Sequence, residues 1–110
     1  MMRPAEADRI RAMRIAAARI TLDFFNNTDV AEKRRKLSAL CEEVRKQFNV
    51  SALEVDELEH PEKCVIGFAA VIPDHWRDAS IHRFSKTICE YIDTHAFARV
   101  TSEESDITAI

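Results

Sequence analysis

The sequence predicts one small α+β domain with four strands and two helices in the order β-α-β-β-α-β, and three observations carry that prediction. Segments with apolar residues at every second position flank a stretch of helical period at residues 30–47. A nearly continuous apolar run between two prolines follows at residues 64–72, and a second helical period fills residues 75–94. At 110 residues the chain suits a single domain, because two cores of roughly 50 residues each are marginal.

Residues 1–12 (MMRPAEADRIRA) are polar without a sustained period and are expected to form an extension, leaving residues 13–110 as the domain. Ala16, Ala18, Ile20, Leu22 and Phe24 then alternate with Ala17, Arg19, Thr21, Asp23 and Phe25, the pattern of a half-buried strand. Asn26, Asn27, Thr28 and Asp29 make a turn in which Thr28 or Asp29 caps the following helix, with Glu32 three residues beyond Asp29. Val30, Leu37, Leu40, Cys41, Val44 and Phe48 share one arc of that helix, which Asn49 is suited to end.

A second strand is expected over Val50 to Glu57, with Leu53 and Val55 on one side and Ala52, Glu54 and Asp56 on the other. Leu58 to Glu62 connects it to a central third strand, Cys64 to Ile72, bounded by Pro61 and Pro73. Asp74 is placed to cap a second helix from His75 to Thr94, with Ile81, Phe84, Ile88, Tyr91 and Ile92 on its apolar side. Ala98 to Thr101 and Ile107 to Ile110 complete the sheet, with the polar Ser102 to Asp106 read as a bulge, a turn or a frayed end. This order is that of a ferredoxin-like fold, in which two helices cover one face of a four-stranded antiparallel sheet and the other face stays open.

Hydrophobic residues at 46% and charged residues at 32% suit a folded cytosolic protein. No run approaches the roughly 20 apolar residues of a membrane helix. Arg3, Arg9, Arg11 and Arg14 precede an apolar stretch that Arg19 and Asp23 interrupt, which is a poor secretory signal, so the cytoplasm is the expected location. Cys41, Cys64 and Cys89 are odd in number and widely spaced, as free buried thiols of a reducing compartment are. Charge is polarised: residues 1–50 carry 11 basic against 7 acidic residues, and residues 51–110 carry 5 against 12.

No arrangement supplies catalysis, so a non-enzymatic protein without a cofactor is expected. His75, His82 and Cys89 recur every seven residues, about 10.5 Å apart along a helix, too far to converge on one zinc. Gly67 is the only glycine, which excludes glycine-rich phosphate loops. No Ser, Cys or Thr has an evident activating base. Glu54, Asp56, Glu57, Glu59 and Glu62 read as a solvated acidic strand end, where a weak divalent-ion site stays open without a specific motif.

Two surfaces remain. Lys33, Arg34, Arg35 and Lys36 form a basic helix start that suits phosphate contact, with Lys33 running its stem along the core margin and presenting its ammonium. Val65, Gly67, Ala69 and Val71 form the open-face side of the third strand, an apolar surface fitted to a partner or a second copy. Because that set holds no stacking aromatic, an RNA-recognition motif is disfavoured; the missing GxxG loop disfavours a KH domain.

The segment EKRRKLSALCEEVRKQFNVSALEVD, followed by KCVIGFAAVIPD, resembles the YlxP-like family of small bacterial proteins of unassigned function. Glu32, Lys33 and Arg34 correspond to the EKR part of its SLKEKR motif, Phe48 to Ser51 to its FNVS, and Ile66, Gly67 and Ala69 to its third strand, over roughly residues 14–102. Asp29, Val30 and Ala31 stand in place of SLK, removing one lysine from the helix start. The resemblance implies a ferredoxin-like fold and no established enzymatic activity. Genes of the family often neighbour those for ribosome maturation and translation initiation factors, which implies a ribosome-linked role. The expectation is therefore an accessory protein that touches RNA or a ribosomal particle through the basic helix start; the alternative is a homodimeric or protein-binding module using the open sheet face. No membrane partner and no small-molecule substrate are indicated.

Overall fold

Alternating burial along the first strand sets the architecture. Ala16, Ala18, Ile20, Leu22 and Phe24 are all buried, whereas Ile15, Ala17, Arg19 and Thr21 face away from the core. The computed structural model describes residues 13–110; the expected extension at residues 1–12 lies outside them. The elements are β1 (Arg14–Asp23), α1 (Val30–Phe48), β2 (Ser51–Asp56), β3 (Lys63–Ile72), α2 (Asp78–His95) and β4 (Arg99–Ala109). The four strands form an antiparallel sheet in the order β2-β3-β1-β4, which makes the fold ferredoxin-like.

Helix α1 begins and ends where its sequence directs. The Asp29 carboxylate accepts a hydrogen bond from the Glu32 amide at 3.2 Å, and Asn49 takes the left-handed conformation at the other end, its N–H donating to the Arg45 carbonyl. Leu37, Leu40, Cys41 and Val44 pack on the sheet with Ile81, Ile88, Cys89 and Ile92 of α2. Between the helices Phe48 meets Phe84 and Tyr91 edge-on, with ring centroids 6.3 and 5.3 Å apart.

Three expectations need correction. Helix α2 starts at Asp78 rather than His75, and Arg77, not Asp74, occupies the cap position, without a side-chain hydrogen bond. The cause is Arg14 of β1, whose guanidinium donates to the carbonyls of Pro73, Asp74 and Trp76 and to the Asp78 carboxylate at 2.9 Å. Those bonds hold residues 73–76 as a turn, with the Trp76 N–H donating to the Pro73 carbonyl.

Strand β4 is continuous through Ser102 to Asp106, with one irregularity opposite Thr21 and Leu22. β1 supplies its backbone partners along the whole length, and the acidic side chains stand on an edge strand, where charge discourages further strand pairing. In β2 it is Ala52 and Glu54 that turn toward the helices, while Leu53 and Val55 lie on the uncovered face. Glu54 is thus no member of a solvated acidic strand end: its side chain is only 12% exposed.

Candidate functional site

The first turn of α1 places Lys33 against the core, one helical turn before Leu37. Lys33 is fully buried, and its ammonium donates to the carbonyls of Glu57 (2.7 Å), His60 and Lys63 (2.8 Å), with the Glu54 carboxylate 3.2 Å away. Three N–H donors meet three carbonyls of the β2–β3 connection, and Glu54 supplies the counter-charge that burial of an ammonium requires. Lys33 therefore does not present its charge for phosphate contact, contrary to the sequence reading. Its place was visible in the spacing to Leu37, Leu40, Cys41 and Val44, which puts it on the apolar arc.

The other three cations of the helix start are exposed, and each has a carboxylate partner. Arg34 pairs with Glu59, Arg35 with Glu32, and Lys36 lies 3.8 Å from Glu32. The Arg35 hydrogen bond holds the Glu32 carboxyl below its usual range. Charge at this helix start is largely compensated within the chain itself.

The open sheet face is built from matched strand positions. Leu53 stands beside Gly67, Gly67 beside Arg19, and Arg19 beside Glu104; one row along, Ser51, Ala69, Ala17 and Asp106 are aligned in the same way. Val71 is 70% exposed and Leu53 63%, with Ile15, Ala17 and Ala69 partly exposed between them. The face thus has an apolar patch of Leu53, Val55, Val71, Ile15, Ala17 and Ala69 on β2, β3 and β1, bordered by the exposed ion pair of Arg19 with Asp56 at 3.4 Å, and an acidic margin on β4. Of the four β3 residues assigned to this surface, Val65 is the exception, at 5% exposure. It lies between Thr21 and Asp56 beside a strand irregularity at Glu54 to Asp56 that folds the Val55 side chain over Gly67. A Cβ at position 67 would sit 3.0 Å from Val55 Cγ1, so the glycine permits this close approach.

Two further surfaces escaped the sequence reading. A cavity of about 550 Å³ at the start of α2 is lined by His75, Trp76, Arg77, Ser80, Arg83 and Phe84. Trp76-Arg77 and Arg83-Phe84 each set an arginine beside an aromatic residue, seven positions apart, which is the signal that could have pointed there. A smaller cleft of about 260 Å³ brings Phe25 and Phe97 together with Asn26, Asn27 and Lys36.

Chemical groups elsewhere do not converge. His75 precedes α2, His82 is exposed and Cys89 is buried. Among the described residues no group of three His, Cys, Asp or Glu side chains could hold a metal ion. All three thiols are free and buried. Burial pushes the Cys64 thiol up to about 12 and Cys89 to about 11, and raises Cys41, which suppresses the thiolate that nucleophilic chemistry needs. Among the described residues no helix is long and apolar enough to cross a membrane.

Three solved structures are similar at low identity. A structural-genomics protein, YJCS, shares 14% identity with a TM-score of 0.47 over 84% of this chain and 96% of its own. The de novo designed protein Foldit4 shares 16% with a TM-score of 0.41 over 89% and 96%. A REP-associated tyrosine transposase bound to a REP hairpin shares 14% with a TM-score of 0.38 over 87% of this chain and 55% of its own. No curated protein matches the sequence. The description of DUF503, a family of proteins of unknown function, matches residues 15–105, nearly the whole described domain, and the chain belongs to that family.

Proposed function

We propose that this protein is a non-enzymatic binding module of the reducing cytoplasm, YlxP-like within its family, that self-associates through the open sheet face. The observation that carries this reading is the exposed apolar patch of that face, where Leu53, Val55 and Val71 flank the small residues Ala17 and Ala69. Small side chains let a second sheet approach closely, and apolar area of this kind gains by leaving water. On β1, β3 and β2, with ten, ten and six residues at about 3.4 Å each and strands about 4.8 Å apart, this surface is roughly 400 Å² per subunit. A dimer then buries roughly 800 Å², the size of a weak, concentration-dependent interface. A two-fold axis parallel to the strands, through the centre of the apolar surface, sets apolar on apolar and leaves Glu104 and Asp106 outside the contact.

The alternative, RNA or ribosomal-particle contact at the start of α1, retains Arg34, Arg35 and Lys36 but has less to support it. Their carboxylate partners would have to be displaced before phosphates were neutralised. Sedimentation equilibrium over a wide concentration range tests the dimer. Wild type is expected to sediment as a dimer and Ala69→Glu as a folded monomer, since a charge at a desolvated interface lacks a partner. Wild type that stays monomeric at hundreds of micromolar would falsify self-association.

A further inference from the structure

The cavity at the start of α2 lies on the helix side of the sheet, away from the proposed interface, and its chemistry differs from that of the basic start of α1. Arg77 and Arg83 are exposed, and among the described residues neither makes an ion pair or a side-chain hydrogen bond, whereas Arg34, Arg35 and Lys36 are all paired. No carboxylate lines the cavity. The nearest acidic residue on α2, Asp78, is already engaged by Arg14 at 2.9 Å. Its apolar wall is aromatic: Trp76 meets Phe84 edge-on with centroids 5.7 Å apart. The backbone that carries Trp76 is fixed in advance, because Arg14 holds the carbonyls of Pro73, Asp74 and Trp76. A volume of about 550 Å³ falls in the range of small-ligand sites, roughly 300–1,000 Å³.

Aromatic walls alone suit any apolar group, and free guanidinium groups alone suit any anion. Together they select a planar ring that carries a phosphate: the ring packs on indole and phenyl faces, and the guanidinium forks match phosphate oxygens. We propose that this cavity binds a nucleoside-phosphate unit, its base against Trp76 and Phe84 and its phosphate between Arg77 and Arg83. Such a unit is available as a free nucleotide or as one residue of a single-stranded RNA, where stacking and backbone charge are recognised in the same way.

Trp76 is the only tryptophan in the chain, so its fluorescence reports the cavity directly. The full chain is titrated at low salt with adenosine monophosphate, an oligoadenylate of about twelve nucleotides, adenosine alone, inorganic phosphate alone and a polyglutamate peptide. Saturable quenching is expected with the monophosphate, at least tenfold weaker with adenosine or phosphate alone, and at least tenfold weaker in the Arg77→Gln/Arg83→Gln variant. Both arginines are exposed, so this variant keeps the fold, which near-ultraviolet circular dichroism verifies. An oligoadenylate that binds tenfold more tightly, with a steeper salt dependence, identifies RNA as the source. Equal affinities identify the free nucleotide. Absence of quenching by both, quenching indifferent to the double substitution, or polyglutamate that binds as well as the monophosphate overturns the proposal. None of these outcomes bears on sedimentation, so this site and the sheet-face dimer stand or fall separately.

Discussion

Lys33 joins three carbonyls of the β2–β3 connection to the first turn of α1, with Glu54 beside it, so that one side chain closes a loop onto the core. Its replacement by methionine keeps the stem and removes the charge, leaving Glu54 buried and the carbonyls without donors. The expected cost is about 3–5 kcal/mol in urea denaturation, and Lys33→Met/Glu54→Leu should recover only part of it, because the carbonyls stay unpaired. Full recovery in the double variant would show that the carbonyl bonds contribute nothing.

Phe97 occupies the left-handed region at φ 53°, just past the end of α2, and is 90% exposed. Relief of strain of about 1–2 kcal/mol outweighs the extra chain entropy of glycine, about 0.5–1 kcal/mol, so Phe97→Gly should raise stability by about 0.5–1 kcal/mol in the same assay.

The cysteines make a further residue-scale prediction. Burial, aided by Glu54, raises the folded-state pKa of Cys64 to about 12, above an ordinary thiol near 9. The folded state keeps this proton while the unfolded chain releases it, so the stabilising contribution is complete below about pH 9 and declines as pH rises toward 12. The urea midpoint should therefore fall through this window, and less steeply in Cys64→Ala. Iodoacetamide at neutral pH should leave all three thiols of the folded protein unmodified and label them all in urea.

At the scale of elements, the two helices show what sequence can and cannot locate. Helix α1 was legible end to end because Asp29 and Asn49 act through their own backbone neighbours. The start of α2 was not, because a residue some 60 positions earlier decides it: Arg14 withdraws residues 73–76 from the helix. Arg14→Met should leave those carbonyls without their donor, cost about 1–3 kcal/mol, and speed hydrogen exchange over residues 73–81 more than in α1. Uniform exchange across both helices would contradict a local role for Arg14. Strand β4 makes the same point: Ser102 to Asp106 look too polar for a strand, but pairing with β1 needs only their backbone, and an edge tolerates their charge.

At the scale of the whole molecule, the proposed sheet-face dimer links stability to concentration. A dimer that dissociates on unfolding has a Tm that rises with protein concentration, while Ala69→Glu should unfold at a Tm independent of it. Scanning calorimetry over a hundredfold range distinguishes the two, and a concentration-independent wild-type Tm would count against the dimer. The order of elements and the open face were determined by the sequence itself. Periods of 2 and 3.6 are local, and four strands with two crossover helices leave few ways to close a core. Which charges remain available was decided only by tertiary structure. The apolar arc of α1 points Lys33 toward the core while Arg77 faces solvent, but the carbonyls that hold the Lys33 ammonium come from 24 to 30 positions along the chain. Pairing of a charge depends on such distant neighbours, and no local pattern encodes them.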